Sequence, residues 1–354
     1  MKAMGSVCLS AALAMLATSV AVAQIPFSFP QPAGPGMHAP SDVREPALLA
    51  MCKHAPPQRR PFNAGRRGGS PPPVAPFPYH VNGIAGVVAP AAQWRIVWTA
   101  NGNNADGLIA LPDGSILMAQ NDASAVVKLE PDGHSETVYT DTDSGGGLTI
   151  NRRGQIFIAE RALMSSIWEL EPKRVLLADS YDGDSLDCRG GAGIDGPAAL
   201  DNGGVYFSMN GLFYADPHGK VTQYGHDVEP NDMVLSSDQK TLYVGSGGKV
   251  LAFDVGPDGA LSHQRVFATI PGGGNDGGGV DAAGRVYFTG TRPGVDVFSA
   301  AGKFLGIIPT PFPVISTTFG GRDGKTLYAV GLDVGPGGLM DEVLAIPTIA
   351  QGVR

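Results

Sequence analysis

From Trp94 onward, the hydrophobic and polar positions of the chain repeat one arrangement six times. A polar residue or glycine opens a short apolar run, a turn follows, and then comes an alternating run rich in Val, Ile, Tyr and Phe. The instances are DGLIALPDGSILMAQ (106–120), GGLTINRRGQIFIAE (146–160), DGPAALDNGGVYFSM (195–209), NDMVLSSDQKTLYVGS (231–246), DGGGVDAAGRVYFTG (276–290) and STTFGGRDGKTLYAVG (316–331). Alternation with β-branched and aromatic residues is the mark of a half-buried strand, and Asp-Gly pairs between such runs mark hairpins. A third run follows each pair. Turns such as Pro131-Asp132-Gly133, Pro217-His218-Gly219 and Pro257-Asp258-Gly259 then lead into a fourth. Four strands every 36–49 residues is the period of a propeller blade. The last unit has no fourth strand after Pro347, whereas an unassigned strand, Trp94–Thr99, precedes the first. Pairing the two would close the ring and hide the edges that invite aggregation. The expectation is an all-β, six-bladed β-propeller over residues 93–350, closed by an N-terminal strand.

Composition fits that picture and narrows it. Gly 50 and Pro 29 make up about 22% of the 354 residues, against roughly 12% in an average chain, and only 16% are charged. Helical bundles and coiled coils are thereby excluded. With 43% hydrophobic residues there is material for a core. The net charge of −8 gives no electrostatic footprint for nucleic acid. Residues 1–23 read as a secretory signal peptide: Lys2, an apolar centre and an Ala21-Val22-Ala23 exit. Once it is cleaved, no membrane span remains, and the protein is expected in the periplasm or outside the cell. Residues 24–92 are too dense in Pro and Gly for a sheet and read as an extended arm or surface-hugging coil. Its basic cluster, Arg59, Arg60, Arg66 and Arg67, reads as a solvated stretch. Export would leave Cys52 and Cys188 in an oxidising compartment, where a disulfide and two separate thiols both remain open.

In a propeller the innermost strand of each blade lines the central channel, so the residue that opens it stands at one mouth, facing its counterparts. Those positions are Asp106, Gly146, Asp195, Asn231, Asp276 and Ser316. Asp and Asn ahead of a strand also cap turns through their own backbone. Four oxygen-bearing side chains at one repeat position point further, because converging carboxylates repel unless a cation or protons intervene. Hard oxygen donors without His or Cys suit Ca²⁺, with Mg²⁺ or Mn²⁺ as replacements. Asp106, Asp195, Asn231 and Asp276 are therefore the expected metal ligands. Glu160 and Arg161, ending the second strand of the second unit, have two readings, facing the same mouth or lying on the sheet surface as ordinary residues, and the second is favoured.

The units resemble the senescence-marker-protein (regucalcin)/gluconolactonase/luciferin-regenerating-enzyme family of six-bladed propellers, and more distantly paraoxonases. The resemblance is carried by Glu229–Tyr243 (EPNDMVLSSDQKTLY), 275–287 (NDGGGVDAAGRVY) and Phe319–Tyr328 (FGGRDGKTLY), and extends over about 94–350. It implies that the family's first-blade Glu ligand falls on Asp106, one methylene shorter, its third-blade Asn on Asp195, its fourth-blade Asn on Asn231 and its fifth-blade Asp on Asp276. It further implies hydrolysis of a lactone or related ester, with Asp276 as the base that activates water. Two departures stand out. The family's substrate-holding Arg, two residues before the third-blade ligand, is Gly193 here, and the paraoxonase histidine dyad has no counterpart, since His134 and His218 fall in outer turns. Two function classes follow: an exported, divalent-metal-dependent hydrolase acting on a small-molecule lactone or ester, and a non-catalytic exported propeller serving as a ligand- or protein-binding platform. A quinone-dependent sugar dehydrogenase would want a cationic, histidine-bearing pocket, which the axial acids oppose.

Overall fold

The computed structural model describes residues 45–54, 77–101, 105–121, 123–190, 193–271, 273–274, 276–290, 292–335 and 338–353. The expected signal peptide lies outside them, as do most of the arm and its four arginines. Among the described residues are six four-stranded antiparallel sheets, five of them made of consecutive strands as the hairpin turns dictate. Blade 1 comprises Ala105–Ala110, Ile116–Gln120, Ala125–Leu129 and Ser135–Thr140, and blade 2 Leu148–Ile150, Ile156–Glu160, Ser166–Glu171 and Val175–Ala178. Blade 3 is Asp195–Ala199, Val205–Ser208, Leu212–Ala215 and Val221–Tyr224, and blade 4 Pro230–Leu235, Thr241–Ser246, Lys249–Val255 and Leu261–Thr269. Gly278–Val280, Val286–Thr289, Gly294–Phe298 and Phe304–Pro309 form blade 5. Blade 6 takes Val314–Gly320, Thr326–Gly335 and Gly338–Pro347 from the C-terminal end. Its outermost strand is Arg95–Asn101, which pairs with Gly338–Pro347. The sheet thus joins chain segments more than 200 residues apart.

The core is a set of layers between neighbouring blades. Phe157 and Ile167 of blade 2 meet Phe207 and Phe213 of blade 3, and Tyr206 and Leu212 of blade 3 meet Leu242 and Phe253 of blade 4. Because both faces of the middle strands are covered, those strands read as nearly continuous apolar runs, such as Val205–Ser208, buried throughout. The blade 5–6 layer recruits more. Val81, Ile84, Val87 and Val88 pack into it beside Tyr287, Phe319 and Leu344. Val87 O accepts the amides of Ile349 and Ala350 (2.8 and 3.1 Å). This described end of the arm is therefore packed against the propeller rather than extended into solvent.

The other described piece of the arm is pinned covalently. A short helix, Glu45–Leu49, leads to Cys52, which is disulfide-bonded to Cys188 with Cα atoms 5.6 Å apart. Asp184 receives the neighbouring backbone: its Oδ1 accepts Lys53 N (2.6 Å), its Oδ2 accepts His54 N (3.1 Å), and His54 Nδ1 lies 2.6 Å from the same Oδ2. Asp184 and Cys188 belong to an insertion between blades 2 and 3, a small hairpin (Ser180–Tyr181, Asp184–Ser185) and a 3₁₀ turn, Leu186–Arg189. The disulfide spans 136 residues of sequence, so it constrains the unfolded chain strongly. Cys52→Ser is expected to lower stability by about 2–4 kcal/mol. The measurement is a denaturant midpoint that falls, with wild type in reductant falling to match.

Candidate active site

The inner strands begin at one end of the ring, and an axial cavity of about 390 Å³ is lined there by Asp106, Asp195, Asp232 and Asp276 and deeper by Leu108, Leu148 and Met233. Sequence-distant acids are thus gathered at a common hub. Three of them spend an oxygen on local backbone: Asp106 Oδ1 accepts Gly107 N and Asp195 Oδ1 accepts Gly196 N, both at 2.9 Å, and Asp232 Oδ1 accepts Met233 N at 2.8 Å. The turn chemistry of Asp ahead of a strand is real here, and it orients the carboxylates toward the axis.

Two groupings result. In the first, the guanidinium of Arg161 bridges Asp106 and Asp195: Nη2 donates to Asp106 Oδ2 (2.9 Å) and pairs with Asp195 Oδ1, while Nε donates to Ile194 O (3.0 Å). The Arg161 side chain is only 11% exposed and that of Asp106 13%. Arg161 is therefore a hub residue and not a sheet-surface one, and the reason lies in blade 2. Its axial position is Gly146, whose missing Cβ would collide with Arg161 Cζ; with no side chain there, the arginine crosses into the channel from the end of the adjoining strand. Glu160 also departs from a surface role. It is buried and accepts from Arg174 Nη2 (2.8 Å), and burial, aided by Asp143 and opposed by Arg174, pushes its carboxyl up to about 8.

In the second grouping Asn231 Nδ2 donates to Asp276 Oδ1 (3.2 Å). Ser316, the sixth axial residue, accepts Leu108 N through Oγ (3.3 Å), tying blade 6 to blade 1. The four expected ligands thus divide into Asp106 with Asp195 and Asn231 with Asp276. Among the described residues no three Asp, Glu, His or Cys side chains converge as a metal cluster.

Asp232 was not among the residues singled out above. Its carboxylate lies between blades 4 and 5, with Oδ2 accepting Gly278 N (3.3 Å). The signal was present in the repeats, because the residue after the axial position is Gly107, Gly147, Gly196 and Gly277 in four other units. Those glycines let neighbouring backbones touch: a Cβ on Gly196, itself at φ +50°, would meet Asp232 Cα, and one on Gly277 would meet Ser316 Cα.

The electrostatics follow from four acids sharing one guanidinium. Burial, then repulsion from Asp195, pushes Asp106 up to about 6 against the pull of Arg161. Asp232 is pushed up to about 8 by burial and then by Asp195 and Asp106. Asp276 is raised well above the usual carboxylate range by burial and by Asp106, Asp195 and Asp232. Burial opposes the charge on Arg161, yet Asp195 and Asp106 outweigh it and its proton is held more tightly. The donor set therefore fits a divalent cation in chemistry, with hard oxygens carrying more negative charge than Arg161 balances. His134 and His218 sit in exposed turns, their amides donating to Asp132 and Asp216.

Residues 192–331 match a family model described as SMP-30/Gluconolactonase/LRE-like region. The matched region spans blades 3 to 5 and the first part of blade 6, and contains Asp195, Asn231, Asp232 and Asp276. Asp106 and Arg161 lie outside it. A gluconolactonase of Zymomonas mobilis subsp. mobilis is 24% identical over 278 residues, which cover 68% of this chain and 77% of that protein. Among solved structures, a gluconolactonase from Xanthomonas campestris superposes with a TM-score of 0.64 at 20% identity, covering 79% of this chain and 99% of that one. A calcium-binding regucalcin from Agrobacterium tumefaciens str. C58 gives 0.54 at 17%, covering 71% and 93%. These two structural likenesses are of fold.

Proposed function

We propose that the protein is an exported, divalent-metal-dependent hydrolase of lactones or related esters. The observation that carries the reading is the gathering of Asp106, Asp195, Asp232 and Asp276 around one axial cavity, in excess over the single guanidinium among them. The gluconolactonase similarity supplies the substrate class, a cyclic ester small enough for a cavity of about 390 Å³. The Cys52–Cys188 bond supports export, since structural disulfides persist in oxidising compartments.

Asp106, Asp195, Asn231 and Asp276 are the residues that would hold the cation. A bound Ca²⁺ or similar ion would polarise the lactone carbonyl and offset the charge that develops on its oxygen. Asp276 would take the proton from the attacking water. A carboxylate beside a cation is ordinarily a weak base, but burial and three neighbouring acids lift Asp276 well above its usual range. The two influences oppose each other: the cation would favour the ionised carboxylate, and the neighbouring acids favour its protonation. Asn231 holds one Asp276 oxygen through its side-chain amide and so fixes the carboxylate's rotation. Leu108, Leu148 and Met233 give the cavity an apolar wall that excludes bulk water from the scissile bond.

The test is a panel of γ- and δ-lactones and aryl esters, assayed after chelation and again with Ca²⁺ restored. Hydrolysis that disappears with the chelator and returns with the ion is expected, together with a higher melting temperature when Ca²⁺ is present. Absence of bound metal by elemental analysis, with no thermal shift at saturating Ca²⁺, would reject the cation.

A further inference from the structure

We propose that Arg161 is a tethered cation that competes with the divalent ion for the hub carboxylates, and that Gly146 is the gap that admits it. Five of the six axial positions carry a side chain, namely Asp106, Asp195, Asn231, Asp276 and Ser316. Only blade 2 has glycine there, and the guanidinium of Arg161 lies over it, where a Cβ would collide with Cζ. Once across, its donors are engaged: Nη2 with Asp106 and Asp195, and Nε with Ile194 O. An arginine so committed is not a free clamp for substrate. It is a fixed positive charge, planar and always ionised, on two of the four expected ligands.

The consequence concerns affinity. A divalent ion entering the hub must take Asp106 away from an existing partner and sit near a like charge that cannot leave. Arg161 therefore weakens metal binding, and in return lets the hub persist when no ion is bound. This inference rests on the metal reading above, and the two are separable by experiment. The full-length processed protein is stripped with EDTA and titrated with Ca²⁺ by calorimetry, alongside Arg161→Gln and Gly146→Ala. The alanine keeps the guanidinium but puts a Cβ where it crosses, so the test survives a failure of Arg161→Gln to fold. In parallel, melting temperatures are recorded in EDTA and in saturating Ca²⁺.

Arg161→Gln is expected to bind Ca²⁺ at least tenfold more tightly than wild type, to melt lower in EDTA, and to regain the loss in Ca²⁺. Gly146→Ala is expected to move in the same direction. Calcium binding in Arg161→Gln with none detectable in wild type is the same result in stronger form. If wild type binds Ca²⁺ and both variants bind it equally or more weakly, Arg161 is no competitor and the metal reading stands. If none of the three proteins binds Ca²⁺, the competition is overturned along with the metal reading.

Discussion

Asp276→Asn is expected to cut lactone hydrolysis by about 10²- to 10⁴-fold, the range a positioned general base supplies, while leaving the protein folded and more heat-stable than wild type. Loss of activity with gain of stability is the trade-off of a strained functional site, and the hub explains both halves. The Asp276 carboxylate is held among Asp106, Asp195 and Asp232, all of like charge, and burial denies it the water that would ease the repulsion. An amide of the same shape removes one negative charge from that group and keeps an oxygen for the Asn231 side chain. A higher melting temperature in metal-free buffer follows from relieving that repulsion. Steady-state kinetics on a δ-lactone and calorimetric melts in EDTA measure the two effects on one preparation. Unchanged turnover would remove Asp276 as base. A lowered melting temperature in EDTA would show that the charge is already balanced there.

Much of this architecture was legible in the chain because the blade is a local object. Alternating runs joined by Asp-Gly turns specify each hairpin, and six copies specify the ring. Periodicity also placed Asp106, Asp195, Asn231 and Asp276 at equivalent blade positions, and the structure sets them at the openings of their inner strands. Arg161 was legible only as the less favoured of two readings, for a physical reason. It lies at the end of a second strand, fifteen positions after Gly146, and reaches the axis only through the absence of a side chain there. A pattern of residue types records what a position carries and is blind to space left open for a neighbour. Asp232 was hidden differently, as an acid at a repeat position otherwise dominated by glycine and directly behind a more conspicuous Asn231. The Cys52–Cys188 pairing depends on a loop of chain whose closure no local pattern encodes.

Stability in metal-free buffer is expected to fall as pH rises from about 5 to about 8.5, the reverse of ordinary acid denaturation. A carboxyl whose folded pKa exceeds its unfolded value binds its proton more tightly in the native state. Its stabilising contribution is complete below the unfolded pKa and is lost as pH climbs through the folded one. Asp106 at about 6, with Asp232 and Glu160 at about 8, set that window. Between pH 5 and 8 the raised Asp232 carboxyl alone corresponds to roughly 4 kcal/mol. Acids of the opposite kind work elsewhere: burial pushes Asp113 up, but its bonds to Ser115 and Lys128 together outweigh that and draw it down to about 2, so its contribution is lost only at much lower pH. Metal-free protein should therefore be most stable near pH 5. Saturating Ca²⁺ favours the ionised hub and should flatten the decline above pH 6, leaving the part due to Glu160, which is paired with Arg174 away from the axis. Glu160→Gln should remove that remainder, and Asp232→Asn should reduce the slope in EDTA. Melting temperatures at half-unit steps from pH 4.5 to 8.5, with and without Ca²⁺, resolve these contributions. A flat profile in EDTA would mean that the buried acids already have their counter-charges, and the electrostatic demand for a cation at the hub would disappear with them.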